Sequence, residues 1–404
     1  MKFRGAVCCL LWVTLAWPVL AAAPSELATA LSRRYAPYAD WQSVLDVDVL
    51  AKQSASRYWR TAEEIVSQRE EGGLPLSGLH LALDPGHIGG QWAAAEGRQF
   101  RIRKEDFYVR EGELVLEVAL LVRMQLVALG AEVTLLREAN VRVNPKNPVD
   151  YLKLAAEQVG LPEEKSLAAL WAYVHAIQGR AVHLSIISGD LAERARVVNQ
   201  VIQPDALISL HINAAAWPAP AASESEVEGG EPKLRLVETN NLHALIFGCM
   251  SAGELQSGRQ QEQLAVKLTN ESGAAERLLG GALAAALAEA TQLPPARYQG
   301  TNAILLSSEE PYLYARNLLM LRVVECPTVL LEPYVANSAG AYTRFQSALA
   351  NRAAGLPLAE DDILLEYVDA VVAGVLACYG SVLLSEQTAA APSEQSDHGV
   401  FVAE

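Results

Sequence analysis

The chain has 404 residues, of which 51% are hydrophobic and 20% are charged. This composition is typical of a globular protein with a substantial core, and it excludes disorder throughout. The formal net charge of −15 argues against a general nucleic-acid binder and against electrostatic docking on an anionic membrane.

The first 23 residues have the pattern of a secretory signal peptide. Lys2 and Arg4 precede a largely apolar stretch, residues 7–19, and the alanines at 21–23 offer a small-residue cleavage site. An uncleaved anchor is the alternative, although the stretch is short for a membrane span. We therefore expect an exported protein, periplasmic or else extracellular, with no stable membrane span after cleavage.

The rest of the chain divides into three parts by composition. A helical lead-in is predicted at 24–75 and a catalytic domain at 76–384, with insertions at about 141–188 and 214–240. The polar residues 385–404 are predicted to form a flexible tail. Three cysteines follow the signal peptide, at 249, 326 and 378, and they allow either one disulfide with a free thiol or three buried thiols.

Short apolar runs and amphipathic stretches alternate along the core. The runs predict buried strands at 79–84, 132–136, 206–212, 242–249 and 328–333. Helices are predicted at 111–129, 151–159, 164–178, 191–201, 274–290 and 361–379. Alternation of this kind predicts an α/β fold, in which a mainly parallel twisted sheet has helices on both faces and carries helical insertions.

Three of the predicted strands lead into residues with catalytic side chains. His87 follows the first strand, His211 ends the third, and Glu332 ends the last. In open parallel sheets, sites gather beyond the carboxyl ends of strands. Two histidines and a carboxylate near the start of the first core helix would suit a catalytic zinc ion. Glu332 would then carry the proton of the attacking water.

Four ordered motifs resemble those of the zinc-dependent N-acetylmuramoyl-L-alanine amidases of bacterial cell walls. They are LDPGHIGG at 83–90, EGELVL at 111–116, SLHINA at 209–214 and PTVLLE at 327–332. The resemblance implies an amidase-like fold over roughly residues 79–380. It also implies that Zn²⁺ is held by His87, Glu111 and His211, with Glu332 as the catalytic residue.

The resemblance further implies a substrate and partners. The expected reaction is hydrolysis of the amide between N-acetylmuramic acid and L-alanine in peptidoglycan or in smaller muropeptides. Asn213 and Arg297 are candidates for shaping the site or binding substrate. The alternative is an amidase-like protein that binds or regulates the cell wall without cutting it.

Several departures from the family pattern bear on these expectations. Ile88 stands where a glycine is usual, and the 24 residues from His87 to Glu111 exceed the usual spacing. Gly112 and Val115 replace the usual Lys and Asn, which leaves the acidic ligand open. Glu111 fits the register best, Glu113 is the second choice and Glu105 the third.

The interval between the second histidine and Glu332 suggests regulation. In division-associated relatives a helix in this interval covers the site until a protein activator removes it. Residues 214–300 fill the interval here and include the Pro/Gly/Ser/Glu-rich stretch 217–233. Partial self-occlusion and a protein activator are therefore expected.

Overall fold

The computed structural model of the protein describes residues 23–53, 56–218 and 234–380. The predicted signal peptide up to residue 22, the tail at 385–404 and most of the stretch 217–233 lie outside the described residues. The predictions made for those segments therefore stay predictions.

In the described residues, nine strands form two sheets. They are β1 (His80–Pro85), β2 (Gln99–Phe100), β3 (Val109–Arg110), β4 (Glu132–Leu135), β5 (Ala206–Leu210), β6 (His243–Phe247), β7 (Ile304–Leu305), β8 (Leu313–Arg316) and β9 (Thr328–Glu332). The sequence predicts β1, β4, β5, β6 and β9 with ends within two residues of those observed. It misses the other four, whose short length gives almost no periodic pattern.

The α-helices of the described residues lie between and after these strands. They are α1 (Pro24–Ala30), α2 (Val47–Leu50), α3 (Ala62–Ser67), α4 (Glu111–Ala128), α5 (Leu152–Val159), α6 (Leu167–His183), α7 (Gly189–Val197), α8 (Ala252–Leu255), α9 (Gly258–Thr269), α10 (Ser272–Thr291), α11 (Leu319–Val323), α12 (Ala339–Ala353) and α13 (Ile363–Tyr379). Predicted helices correspond to α4, α5, α6, α7, α10 and α13.

The main sheet has seven strands in the order β4-β1-β5-β9-β6-β8-β7. The first four strands in that order are mutually parallel. Strand β6 then pairs antiparallel with β9, and β8 runs parallel to β6. The sheet is therefore mixed and mainly parallel. The parallel strands β1, β5 and β9 are adjacent, so their carboxyl ends meet at one edge.

Helices cover both faces of this sheet. Alternate residues of β1 belong to different apolar clusters. Leu81 and Leu83 pack with α4, α10 and α13. Ala82, between them, packs with residues of α7 and α11. Strand β9 behaves in the same way, because Val329 and Leu331 lie in the first of these clusters and Leu330 faces the other side of the sheet. Side chains alternate across a strand, so both faces need cover. The predicted fold class is confirmed.

The residues before the sheet pack onto it rather than standing apart. Leu27, Leu31 and Tyr35 are buried in one cluster with Phe247 of β6 and Tyr314 of β8. Ala62 and Ile65 of α3 join the cluster that contains α4 and α13.

The insertion predicted at 141–188 forms a hairpin of α5 and α6. Helix α6 does not end before α7; one turn of π-helix, Leu184–Ser188, joins the two, and a second such turn, Val198–Ile202, follows α7. Sequence periodicity predicts separate helices here because a π-turn shifts the apolar face by one residue. The hairpin of α5 and α6 therefore connects directly to α7, a helix whose residues line the cavity described below.

Two further findings concern the cysteines and the membrane. Cys249, Cys326 and Cys378 are all buried and free, so they form no disulfide with one another. In the described part of the chain, no helix has the length and hydropathy needed to cross a membrane.

Candidate metal centre and active site

The three strand ends named above converge as the parallel arrangement requires. His87 lies two residues beyond β1, His211 directly follows β5, and Glu332 is the last residue of β9. Glu111 comes to them as the first residue of α4. All four line one cavity of about 440 Å³.

His87, Glu111 and His211 form a compact group. Glu111 Oε1 lies 3.1 Å from His211 Nδ1, and Glu111 Oε2 lies 3.3 Å from His87 Nε2. One ligand atom from each residue can be chosen such that all three atoms lie within 4.8 Å of one another. The imidazole rings meet edge to face, with centroids 5.1 Å apart.

This donor set suits a zinc ion. Ligands at 2.0–2.1 Å in a tetrahedral arrangement stand about 3.3 Å apart, close to the separations around Glu111. A metal ligand must be deprotonated. Burial acts to raise the pKa of Glu111, but the two histidines and Arg98 outweigh it and hold that pKa at about 2. The carboxylate is thus ionised and able to bind a cation.

The alternative acidic ligands lie elsewhere. Glu113 Oε1 accepts a hydrogen bond from the backbone of Gly90 at 3.1 Å and pairs with Arg110 at the same distance. Glu105 is exposed. Of the three predicted acidic ligands, the structure brings only Glu111 to the histidines.

The loop that carries His87 has an unusual backbone conformation and is closely packed. His87 itself adopts a left-handed conformation, with φ of +56°. A Cβ on Gly86 would collide with the His211 ring, and one on Gly112 would lie 2.5 Å from the backbone nitrogen of Gly89. The absence of side chains at these glycines lets the loop, the His211 ring and the start of α4 approach closely. Gly112, a departure from the family pattern, is therefore required by packing.

Two buried arginines hold this loop by its carbonyl groups. Arg194 donates to the carbonyls of Pro85 and His87, both at 2.8 Å. Its charge is balanced by Asp84 at 2.5 Å and by Asp190 at 2.7 Å. Arg137 donates to the carbonyls of Pro85 at 3.1 Å, of Gly86 at 3.0 Å and of Gly112 at 2.7 Å. The sequence alone predicts no role for either arginine, because the carbonyl groups that they hold lie far away along the chain.

The long segment between His87 and Glu111 supplies two further charged groups. It contains the β2–β3 hairpin, and it places Glu96 Oε1 3.4 Å from His87 Nδ1. Burial acts to raise the pKa of Glu96, but His87 and two backbone N–H groups keep it below its usual range. A carboxylate on the second ring nitrogen of a ligand histidine fixes its tautomer and orientation. Arg98 Nη1 lies 3.8 Å from Glu111 Oε2.

His243 is the neighbour of Glu332 that sequence reasoning missed. In the antiparallel β6–β9 pairing it stands directly opposite Glu332, and its Nε2 lies 2.9 Å from Glu332 Oε2. Burial acts to raise the pKa of Glu332, but His243 and His211 outweigh it and keep that pKa below its usual range. Glu332 is therefore an ionised carboxylate with a defined partner. The sequence pattern shows an isolated histidine in an apolar strand, which carries no such signal.

The predicted substrate-binding residues occupy different places. Asn213 lines the cavity beside His211. Arg297 is exposed and is not among the residues that line the cavity. Arg316, the last residue of β8, does line the cavity.

A smaller recess of about 80 Å³ adjoins the cavity and shares Arg98 and Glu111 with it. Its walls include Phe100 and Trp217, whose ring centroids are 5.1 Å apart in an edge-to-face contact. The recess therefore offers an apolar, aromatic surface next to the candidate metal-binding group.

Comparison with known proteins gives one family match. Residues 81–348 match the family model described as N-acetylmuramoyl-L-alanine amidase. No curated protein sequence matches the chain.

Several solved structures are similar at low identity. The amidase Ami1 of Mycobacterium smegmatis has 17% identity and a TM-score of 0.39, over 76% of this chain and 98% of that one. The catalytic domain of the amidase CwlV of Bacillus (Paenibacillus) polymyxa var. colistinus has 13% identity and a TM-score of 0.37, over 74% and 96%. The amidase CwlD of Clostridioides difficile, solved in complex with the GerS lipoprotein, has 12% identity and the same TM-score, over 74% and 96%.

Proposed function

The chain belongs to the N-acetylmuramoyl-L-alanine amidase family, and we propose that it is a zinc-dependent hydrolase of the amide between N-acetylmuramic acid and L-alanine in peptidoglycan. The observation that carries the proposal is the meeting of His87, Glu111 and His211 within 4.8 Å, with Glu332 in the same cavity. The predicted signal peptide agrees with a substrate outside the cytoplasm.

His87, Glu111 and His211 would hold the metal. A zinc ion supplies Lewis acidity, which polarises a carbonyl and makes water more acidic. Two contacts hold His87 in place. Glu96 lies beside its Nδ1 atom, and Arg194 donates a hydrogen bond to its carbonyl oxygen.

Glu332 would handle the proton. As an ionised carboxylate it accepts a proton from the attacking water while the water oxygen bonds to the amide carbonyl carbon. It then donates this proton to the amide nitrogen, the C–N bond breaks, and the peptide leaves with a free L-alanine amine. The carboxylate lies 2.9 Å from His243 Nε2.

The substrate would lie along the cavity and the aromatic recess. Asn213 lies beside the ligand His211 and can hydrogen-bond a polar group close to the scissile amide. We retain Arg297, which is exposed, as a proposed substrate-binding residue. The recess at Phe100 and Trp217 is suited to an apolar face of the substrate.

Location and partners follow from the same proposal. We propose export to the periplasm or, in the absence of an outer membrane, to the cell exterior. Peptidoglycan is the proposed partner, and a protein activator is a second. Residues 217–233, for which we propose a covering role, lie mostly outside the described part of the chain, and no described residue from 234 to 300 lines the cavity.

The test compares the mature chain with Glu332→Gln on purified sacculi and on soluble muropeptides. We expect about one zinc per chain in both proteins, and new N-terminal L-alanine from the unmodified protein, with kcat lowered about 10²–10⁴-fold by the substitution. Glu309→Gln, on an exposed glutamate, is the matched control. Zinc without release by the unmodified chain, also after deletion of residues 219–233, would support the wall-binding alternative. Absence of zinc after reconstitution would contradict the mechanism.

A further inference from the structure

We infer that His243 is a positioning residue for Glu332: its Nε2–H group holds the carboxylate at the cavity edge in one orientation. This inference rests on the proposed function, in which Glu332 moves the proton. It concerns a histidine that occupies no position in the motifs shared with the family.

The topology makes the contact a consequence of strand direction. Strand β6 runs against β9, so its first residue lies beside the last residue of β9. Had β6 been parallel to β9 like β5, its amino end would lie at the opposite edge of the sheet. The reversal in the sheet therefore brings His243 to the edge where the metal-binding group is assembled.

The hydrogen-bonding environment of the imidazole favours one tautomer. His243 is 2% exposed, and its Nδ1 atom has no hydrogen-bond partner among the described residues. A proton on Nδ1 would be a buried donor without an acceptor, which costs more than a lone pair left unpaired. The ring thus carries a proton on Nε2, and this N–H donates a hydrogen bond to Glu332 Oε2 at 2.9 Å.

The ring itself is held in place by Tyr298. The Tyr298 hydroxyl oxygen lies 3.0 Å from His243 Nε2, where it is a second acceptor for the N–H shared with Glu332, and the two rings meet edge to face with centroids 5.5 Å apart. On the other side Tyr298 packs against Tyr314 of β8, with centroids 5.1 Å apart. The carboxylate is therefore fixed by a chain of contacts that reaches from β9 through β6 to β8.

The decisive experiment compares two isosteric amides at position 243. In His243→Gln the amide N–H lies near the original Nε2 position, whereas in His243→Asn it lies near Nδ1. We expect His243→Asn to lower kcat about 100-fold with little change in KM, because a displaced catalytic group costs about this much. His243→Gln should recover at least tenfold of that loss.

Two controls separate positioning from folding. Zinc content and the thermal unfolding midpoint should be the same in the Gln and Asn variants. His80→Gln, on a histidine at the opposite end of β1, should leave kcat unchanged.

A spectroscopic readout keeps the inference independent of activity. The carboxyl carbon resonance of Glu332, assigned by its loss in Glu332→Gln, should move in His243→Asn and stay near its original position in His243→Gln. Equal resonances in both variants, or equal kcat values in an active protein, would overturn the inference. An inactive unmodified chain whose resonances still behave as expected would contradict only the proposed function.

Discussion

Arg194 donates a hydrogen bond from Nη2 to the carbonyl oxygen of His87 at 2.8 Å, although 107 residues separate them. The arginine lies on α7, just beyond the helical insertion, and His87 lies on the loop after β1. A left-handed histidine at the metal-binding group is thus held by a buried cation from another part of the chain. The insertion is thereby coupled to the geometry of the site.

Replacing Arg194 tests this coupling. Arg194→Lys cannot reach Asp84, Asp190 and two carbonyls together, and it leaves buried carboxylates without full partners. We expect the free energy of unfolding to fall by about 3–5 kcal/mol in urea titrations, and zinc affinity to fall with it. Arg196→Lys, on the exposed face of the same helix, should change stability by less than about 1 kcal/mol. Equal effects of the two substitutions would contradict the role given to Arg194.

The choice of acidic ligand can be decided by paired substitutions. Glu111→Gln removes the carboxylate that contacts both histidines, so zinc affinity, measured by competition with a chelator, should fall more than about 100-fold. Glu113→Gln, two residues along α4, should change it less than about tenfold, because its carboxylate pairs with Arg110. The reverse order would make Glu113 the ligand.

Gly112 provides a test of close packing. The Cβ of Gly112→Ala would lie 2.5 Å from the nitrogen of Gly89 and 2.8 Å from the carbonyl carbon of Ile88. The His87 loop must then move, and we expect a loss of about 1–3 kcal/mol in the free energy of unfolding. At Gly179 of α6 a Cβ would meet nothing within 4 Å, so Gly179→Ala should instead stabilise the protein by about 0.5–1 kcal/mol. Thermal and urea unfolding of both variants measure the contrast.

Arg316 and Arg297 differ in their expected contribution to substrate binding. Arg316 lines the cavity, whereas Arg297 is exposed. Losing one charged hydrogen bond to substrate costs about 1.5–3 kcal/mol, so Arg316→Gln should raise KM at least about tenfold. Arg297→Gln should have the smaller effect. Steady-state kinetics on a soluble muropeptide distinguish them, and a larger effect at Arg297 would reverse the assignment.

Asp362 gives the protein a pH-dependent stability. Burial acts to raise its pKa, but Arg352 and the backbone N–H groups of Leu364 and Leu365 outweigh it and keep that pKa below its usual range. A depressed carboxyl pKa stabilises the fold above the unfolded-state pKa near about 3.9, and this stabilisation is lost as pH falls. Asp362→Asn keeps the helix N-cap but removes the charge.

The stability difference between the unmodified protein and Asp362→Asn should therefore be largest near pH 7 and shrink below about pH 4. Urea unfolding across this pH range measures it. Asp361→Asn, on the exposed neighbour, should show no such trend. A difference that stays constant with pH would show that the Asp362 charge does not contribute.

The central strands, the fold class and the residues at the three strand ends could be predicted from the amino-acid sequence alone. These features are visible because a buried strand is a short apolar run, and because His87, His211 and Glu332 interrupt or end such runs. Parallel neighbours then bring strand ends together by topology alone. Glu111 followed from its place at the start of a long amphipathic helix and from the family resemblance.

The groups that surround these residues follow from tertiary packing. Glu96, Arg137 and Arg194 act through backbone atoms and side chains that are distant in sequence, and His243 meets Glu332 only because β6 runs antiparallel to β9. The local pattern of apolar residues indicates whether a residue is buried. It does not indicate in which direction a strand runs or with which strand it pairs. The proposed metal ligands could therefore be named from the sequence as candidates, whereas the contacts that orient them depend on long-range packing.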